Sequence, residues 1–438
     1  MTQDIEIGSF FTYLNRHAVP YCVVGPTDKL PNDLESDLDI VMDVEPGVAL
    51  RHIEMFCRLQ DLRIVQHLQH EITAHYYVLW KKNRNDDRFV SIDICKDFLR
   101  DARSYLSSRE LVSGRRQSAG DNNRSTFYIP RPEMAFAYYL IKRVDKMDLT
   151  AKQGHYLSQL WHQAPTAARE EIVRHFGHKA ANAIEDAAKS RNWDQVSGNS
   201  TLRRALHWRA SRISIKVWLA ELLRICSRVR RPTGIHAVFL GADGSGKSSV
   251  IERVLAALEP VFRRRLQYHL FPVRNLTRSQ GPVIDPHARP LRGTVPSSMQ
   301  LVLWFLRYLV GWVREIWPAR IKATVVLFDR YYQDVLVDPR RYRYGGPTWL
   351  ARALGWLVPK PDLWILLDAP VEVLQARKQE VPIHESERQR RAYLALAKEF
   401  ENGTVLDSSK PLEEVTREAS RWIIEFMAKR TAQRLNLL

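Results

Sequence analysis

The chain has 438 residues, 45% hydrophobic and 26% charged, which is long for one domain and supplies enough apolar material for buried cores. Its formal net charge of +17 favours polyanionic partners (a nucleotide, nucleic acid or an anionic membrane surface) without choosing among them. Its four cysteines, Cys22, Cys57, Cys95 and Cys226, have neither metal-ligand nor paired-disulfide spacing, which argues against a disulfide scaffold and suits reduced thiols in a cytoplasm.

In chain order, the opening "MTQDIEIGSFF" has no basic start before an apolar run, so no secretory leader is expected. "YCVVG" (21–25) and "LDIVMD" (38–43) read as strands, and "GVALRHIEMFCRL" (47–59) as a helix. "ITAHYYVLW" (72–80) and "RFVSIDICKDF" (88–98), rich in β-branched and aromatic residues, read as further strands. Asp37 and Asp39 flank one leucine, and strand alternation sends both to one face. Like charges there repel unless a cation lies between them, and a divalent metal is the usual one; a solvated strand end is the plainer reading. From "RPEMAFAYYLIKRVDK" (131–146) the period is helical to about 190, with Pro132 in the first turn.

Between 203 and 231, Arg203, Arg204, Arg209, Arg212, Lys216, Arg224, Arg228, Arg230 and Arg231 face a single acid, Glu221. Ile213, Ile215, Val217, Leu219 and Leu222 thread through them. The stretch reads as a basic amphipathic connector that contacts an anionic membrane or nucleic acid, or as a solvated linker helix packed on its neighbours.

"IHAVFLGADGSGKSSVIERVLAAL" (235–258) is more specific. An apolar strand runs into Gly241, then Gly244-Ser245-Gly246-Lys247-Ser248-Ser249, then an amphipathic helix, the context of a phosphate-binding P-loop. Glycines let backbone amides curl around phosphate oxygens at the positive end of the following helix. Lys247 neutralises the β- and γ-phosphates of a nucleotide such as ATP, and Ser248 offers a ligand to Mg2+. Farther on, "MQLVLWFLRYLVGWV" (299–313), broken by Arg307, is shorter than the roughly 20 residues of a membrane span and reads as a core helix.

This second half resembles the thymidylate kinase family of nucleoside monophosphate kinases. "GADGSGKS" matches the family's G-x-D-G-x-G-K-S loop, with Asp243 at the acidic position. "VVLFDRYYQD" (325–334) resembles its strand ending in Asp-Arg-Tyr, and "KPDLWILLDAPVEVLQARK" (360–378) its next core strand and helix. "ERQRRAYLALAKEF" (387–400) is similar to the helix after the lid, and "GTVLDSSKPLEEV" (403–415) to the strand and loop near the adenine. The resemblance implies an ATP- and Mg2+-dependent kinase acting on a nucleoside monophosphate or a related phosphorylated or sugar acceptor.

The P-loop supplies no arginine, so cations for the moving phosphoryl group must come from elsewhere. Arg377, Lys378, Arg388, Arg390 and Arg391 crowd the lid segment, where closure brings guanidinium groups to the phosphates and excludes water. Asp329, at the carboxyl end of a buried strand, is placed to hold Mg2+, and Arg330 to reach the acceptor's phosphate. Arg307 falls where the family has an arginine on the monophosphate, and Arg340, Arg341 and Arg343 form a further candidate clamp. Two features depart from the family: Leu240 replaces an acid before the first glycine, and "YHLFPVRNLTRSQ" (268–280) does not match its Arg-Glu-Pro-type element.

The N-terminal segment is similar to the nucleotidyltransferase superfamily, in which a glycine turn precedes a strand bearing Asp-x-Asp. Gly25 supplies the turn, Asp37 and Asp39 the pair, and Asp93 a third acid on a neighbouring strand. The resemblance implies two Mg2+ ions between them, one activating a hydroxyl and one gripping a triphosphate. In "GPTDKLPNDLES" (25–36), Pro26 replaces the superfamily's serine and removes an amide. Fusions of two such domains look like proteins of bacterial surface-polysaccharide clusters, which implies a sugar or glycan acceptor.

The expected architecture is α/β: a nucleotidyltransferase-like α+β domain (1–110), a helical extension (111–200), the basic linker (201–232) and a parallel-sheet P-loop kinase domain (233–438). Expected partners are a nucleotide or phosphorylated small-molecule acceptor, and a second copy of the chain in a homodimer. The competing reading is a non-catalytic module that senses nucleotides or binds nucleic acid.

Overall fold

Ile235–Leu240 and Thr324–Asp329 are six-residue strands buried at every position, and Leu363–Asp368 is buried at all but its last. Strands with no exposed face need cover on both sides, which parallel sheets obtain from the helices that connect them. In the computed structural model they form the centre of a five-stranded sheet, in the order Arg264–His269, Thr324–Asp329, Ile235–Leu240, Leu363–Asp368, Gly403–Asp407. Every neighbouring pair is parallel. All carboxyl ends therefore lie along one edge, with the turn after Ile235–Leu240 between two neighbours, where open α/β sheets bind ligands.

The structure describes residues 7–31, 34, 37–84, 86–100, 103–119, 126–212, 215–272, 287, 289–379 and 381–437. Most of the unmatched 268–280 stretch, from 273 onward, and Ile213 of the connector lie outside them. The chain divides into two compact units, Met1–Ser227 with Arg430–Leu438, and Arg228–Lys429.

The first unit is built on a mixed sheet in the order Tyr21–Val23, Leu38–Met42, Arg88–Cys95, Ala74–Lys81, Arg63–Gln69. Only the pair Leu38–Met42 and Arg88–Cys95 is parallel among these neighbours. Alternation sorts the two faces. Tyr21, Val23, Ile40 and Met42 pack in one core with the helices Ile7–Arg16 and Pro46–Gln60. Cys22 and Val41 pack in the other, with the helices that run from Pro132–Lys146 to Ser200–Arg209. Asp39, two residues before Val41, shares its face with this helical layer. Pro132 opens its helix as expected, and an antiparallel ribbon, Arg116–Ala119 with Thr126–Ile129, precedes it within the segment expected as a helical extension (111–200).

The apolar stretch 299–313 is not a core helix. In Thr294–Gly311 only Ser297, Leu301, Tyr308 and Gly311 are buried, while Met299, Val302, Leu303, Leu306 and Val310 are exposed. No helix among the described residues is long and apolar enough to cross a membrane. All four cysteines are free.

Candidate active site

Gly241 and Gly244 allow the loop to turn where it does. Their φ angles are +150° and +84°, and a Cβ on either would lie 2.5 Å from a backbone carbonyl, that of Leu367 or Leu374. Gly246 caps the helix Lys247–Ala257 in the left-handed conformation, so the first amides of that helix open toward the loop. Ser245 is buried beneath the loop, and Ser248 and Ser249 are exposed on the first turn.

Lys247 is buried. Its Nζ donates to the carbonyls of Gly241 (2.9 Å) and Ala242 (3.0 Å) and to Ser245 Oγ (3.4 Å). Burial pushes its pKa down to about 8, the nearby Arg330 guanidinium adds to the fall, and Asp329 and Asp243 oppose it. Ser248 Oγ donates to Asp329 Oδ2 at 2.8 Å. The other oxygen, Asp329 Oδ1, is buried with no hydrogen-bond partner among the described residues. A serine hydroxyl beside a buried, unmatched carboxylate oxygen is a hard-oxygen donor set, and it fits Mg2+.

On the other side of the loop, Asp243 makes ion pairs with both Arg330 and Arg341. Arg330, buried and at φ +72°, also pairs with Asp334 at 2.6 Å. Fully buried Asp334 further accepts from the hydroxyls of Tyr342 (3.2 Å) and Tyr393 (2.9 Å). The P-loop, the Asp-Arg strand end, the 338–346 loop and the helix Ile383–Ala397 thus share one polar network. Asp334 was missed in the sequence, although the fourth residue after Arg330 is within one helical turn of it.

The other arginines separate. Arg377 Nη1 donates to Ser408 O at 2.9 Å, beside the loop after Gly403–Asp407. Arg388 is held by Glu385 (2.8 and 2.6 Å) and by Val337 O (2.9 Å). Arg390 makes a two-pronged pair with Asp368, 2.8 Å on each prong, at the carboxyl end of Leu363–Asp368. Arg391 pairs with Glu387. Arg307 is exposed and lies over the Phe271 ring, 5.8 Å from its centre. Arg343 Nε donates to Pro290 O, and Arg340 is exposed.

In the first unit, Asp39 and Asp93 are register partners on parallel strands, and Asp37 accepts from the Tyr76 hydroxyl at 3.1 Å. Lys142 Nζ donates to Asp39 Oδ2 at 2.8 Å. Among the described residues, one trio of His, Cys, Asp or Glu side chains has ligand atoms within 4.8 Å of one another: His287, Asp338 and Glu385. Asp37, Asp39 and Asp93 are not gathered in that way. The trio's own acids are engaged, Asp338 with Gln389 and Glu385 with Arg388.

The thymidylate kinase family profile matches residues 239–419. A probable thymidylate kinase 1 of Saccharolobus solfataricus is 34% identical over 202 residues, 42% of this chain and 93% of that protein. A probable thymidylate kinase of Pyrobaculum aerophilum is 29% identical over 197 residues, 42% of this chain and 93% of that one. One of Metallosphaera sedula is 28% identical over 193 residues, 41% and 87% respectively. The match takes in the P-loop, the Asp-Arg strand end and the helix Ile383–Ala397 and leaves the first unit outside. Through its second unit the chain belongs to the thymidylate kinase family, and it is a kinase with ATP and Mg2+ as its cofactors.

Proposed function

We propose that the second unit transfers the γ-phosphoryl group of ATP to the phosphate of a nucleoside monophosphate, with thymidine monophosphate the first acceptor to test. Buried Lys247, held on the loop's own carbonyls at the head of the helix, carries this reading. A cation there is worth far more than in water, because charge that gathers on the phosphoryl oxygens meets it in a low-dielectric site. An oxygen of the acceptor's phosphate attacks the γ-phosphorus, and the bond to the β–γ bridging oxygen breaks to release ADP. Ser248 and Asp329 would hold Mg2+, which when bound would add further neutralisation of the phosphates. Arg330 and Arg341, pinned on Asp243, present guanidinium groups on the acceptor's side, while Arg377 and Arg390 stand on the donor's side. The names of the relatives support thymidine monophosphate, and Leu240 and the unmatched 268–280 stretch leave room for another acceptor.

The test is transfer from labelled ATP with Mg2+ to a panel of nucleoside monophosphates and sugar phosphates. A labelled diphosphate from at least one nucleoside monophosphate supports the reading. Labelling of sugar phosphates alone moves the acceptor to the class implied by the polysaccharide-cluster resemblance. Tight ATP binding without transfer supports the nucleotide-sensing module instead.

Two partner readings rest on exposed surfaces. The helix Ile215–Arg230 has no buried residue, and its Glu221 and Arg224 are tied to Ile72 N and Gln69 O of the first unit. Its polar side is therefore anchored while Ile215, Trp218, Leu219 and Leu223 stand exposed among basic residues. That arrangement favours an anionic membrane surface over nucleic acid, which has no use for the apolar side. The exposed strip Met299, Leu303, Leu306 and Val310 favours a homodimer. Light scattering at the monomer's mass at micromolar concentration would count against it.

A further inference from the structure

Asp39 and Asp93 sit opposite each other on adjacent parallel strands, and such strands are about 4.8 Å apart, so the two carboxylates leave the sheet side by side. Two carboxylates so placed repel unless a cation lies near them or one of them holds a proton. The cation in the structure is Lys142, from the helix Pro132–Lys146, whose Nζ bonds Asp39 Oδ2 at 2.8 Å. Only 14% of its side chain is exposed. Burial opposes its charge, but Asp39 and then Asp93 outweigh burial and lift its pKa above the ordinary lysine value. Asp37 turns to the Tyr76 hydroxyl. A divalent ion held by all three acids would need an oxygen from each within about 2.6 Å of itself, and the three do not form such a trio of ligand atoms among the described residues. The paired Mg2+ ions implied by the nucleotidyltransferase resemblance do not fit these residues.

Asp37 and Asp39 border a cavity of about 570 Å³, within the usual range for small-molecule sites. Its walls carry Arg143 and Lys152, the latter in the first turn of the helix Ala151–Gln163, where the helix dipole also favours an anion. The Arg143 guanidinium lies over the Tyr139 ring, 4.9 Å from its centre, which sets its direction. The walls also carry the carboxylates of Asp28 and Asp37, acceptors for hydroxyl groups. The Tyr156 hydroxyl donates to Gly25 O at 2.7 Å and fastens the turn to the helical wall.

We propose that the first unit holds a metal-independent binding site, in which the Lys142 ammonium takes the place of a divalent cation beside Asp39 and Asp93. The adjoining cavity receives a phosphorylated, hydroxyl-bearing small molecule, a nucleotide or a sugar phosphate. Phosphate lies toward Arg143 and Lys152, and hydroxyls toward Asp28 and Asp37.

Two measurements on the full-length chain test this. In a manganese titration followed by electron paramagnetic resonance without nucleotide, the double variant Asp37→Asn with Asp39→Asn keeps the bound-ion count of the wild type. Loss of an ion in that variant overturns the proposal. Calorimetry with uridine monophosphate, ribose 5-phosphate and glucose 1-phosphate then probes the cavity, and the arms distinguish nucleotide from sugar phosphate. At least one probe binds equally in EDTA and in Mg2+, and Arg143→Ala with Lys152→Ala weakens that binding about tenfold or more. Binding that needs Mg2+, or no probe whose binding depends on Arg143 and Lys152, overturns the proposal.

Discussion

Two buried basic residues, one in the strand Ile235–Leu240 and one at the head of the helix that follows it, have opposite fates. Lys247 donates to the loop's carbonyls, and nearby carboxylates oppose the fall in its pKa. His236 is fully buried against Phe328, Tyr331 and Trp312, and both ring nitrogens lack partners among the described residues. Burial, reinforced by Arg320, lowers its pKa well below the ordinary 6.5. The unfolded chain therefore binds the proton more readily than the folded one below that value. Stability is fully present above pH 6.5 and falls as pH drops, by up to about 1.4 kcal/mol per pH unit for one proton. Chemical denaturation at pH 7.5 and 5.5 is expected to show that loss in the wild type and a smaller one in His236→Phe. Equal losses would mean that other groups dominate the acid response.

At the scale of elements, what was legible in the sequence is what neighbours in the chain decide. The Gly241–Ser248 loop, the strand ending at Asp329 and the helix begun by Pro132 each depend on spacings of a few residues. The Lys142–Asp39 bond spans 103 positions and Arg341 meets Asp243 across 98, so both follow from docking that no local pattern encodes. The connector is a mixed case. Its basic amphipathic pattern was plain, but not that Glu221 and Arg224 would take the inner side and leave the apolar residues outside. Full-length protein is accordingly expected to sediment with vesicles containing phosphatidylglycerol and not with pure phosphatidylcholine. Trp218→Ser with Leu223→Ser should weaken that binding by about a hundredfold or more, since each buried apolar side chain contributes roughly 1.5–3 kcal/mol. Equal binding to both vesicle types, or retention on duplex DNA instead, would contradict the membrane reading.

Over the whole molecule, the chain end returns to its beginning. The helix Leu412–Leu435 starts in the kinase unit, yet Arg430–Leu438 belongs to the first. Thr431 Oγ1 donates to Val65 O at 2.9 Å, and Leu435 and Leu437 pack on the first unit's core. The kinase sheet lies wholly within Arg228–Lys429. A fragment starting near Arg231 should therefore fold and keep the kinase activity, and Asp37→Asn with Asp39→Asn should leave that activity within about twofold. Deleting 430–438 should instead lower the melting temperature of the first unit, by about 2–4 °C per kcal/mol lost in a domain of this size. A fragment that folds without activity would show that the first unit completes the active site.

The most direct test of the central claim is phosphoryl transfer by the wild-type chain beside Lys247→Ala, with ATP, Mg2+ and the best nucleoside monophosphate. Circular dichroism checks the fold of both. Lys247 places its charge in the phosphate loop, so its removal should lower turnover by about a hundredfold or more while the melting temperature holds. A well-folded Lys247→Ala chain that makes the labelled diphosphate at the wild-type rate would contradict the assignment and put the chemistry elsewhere.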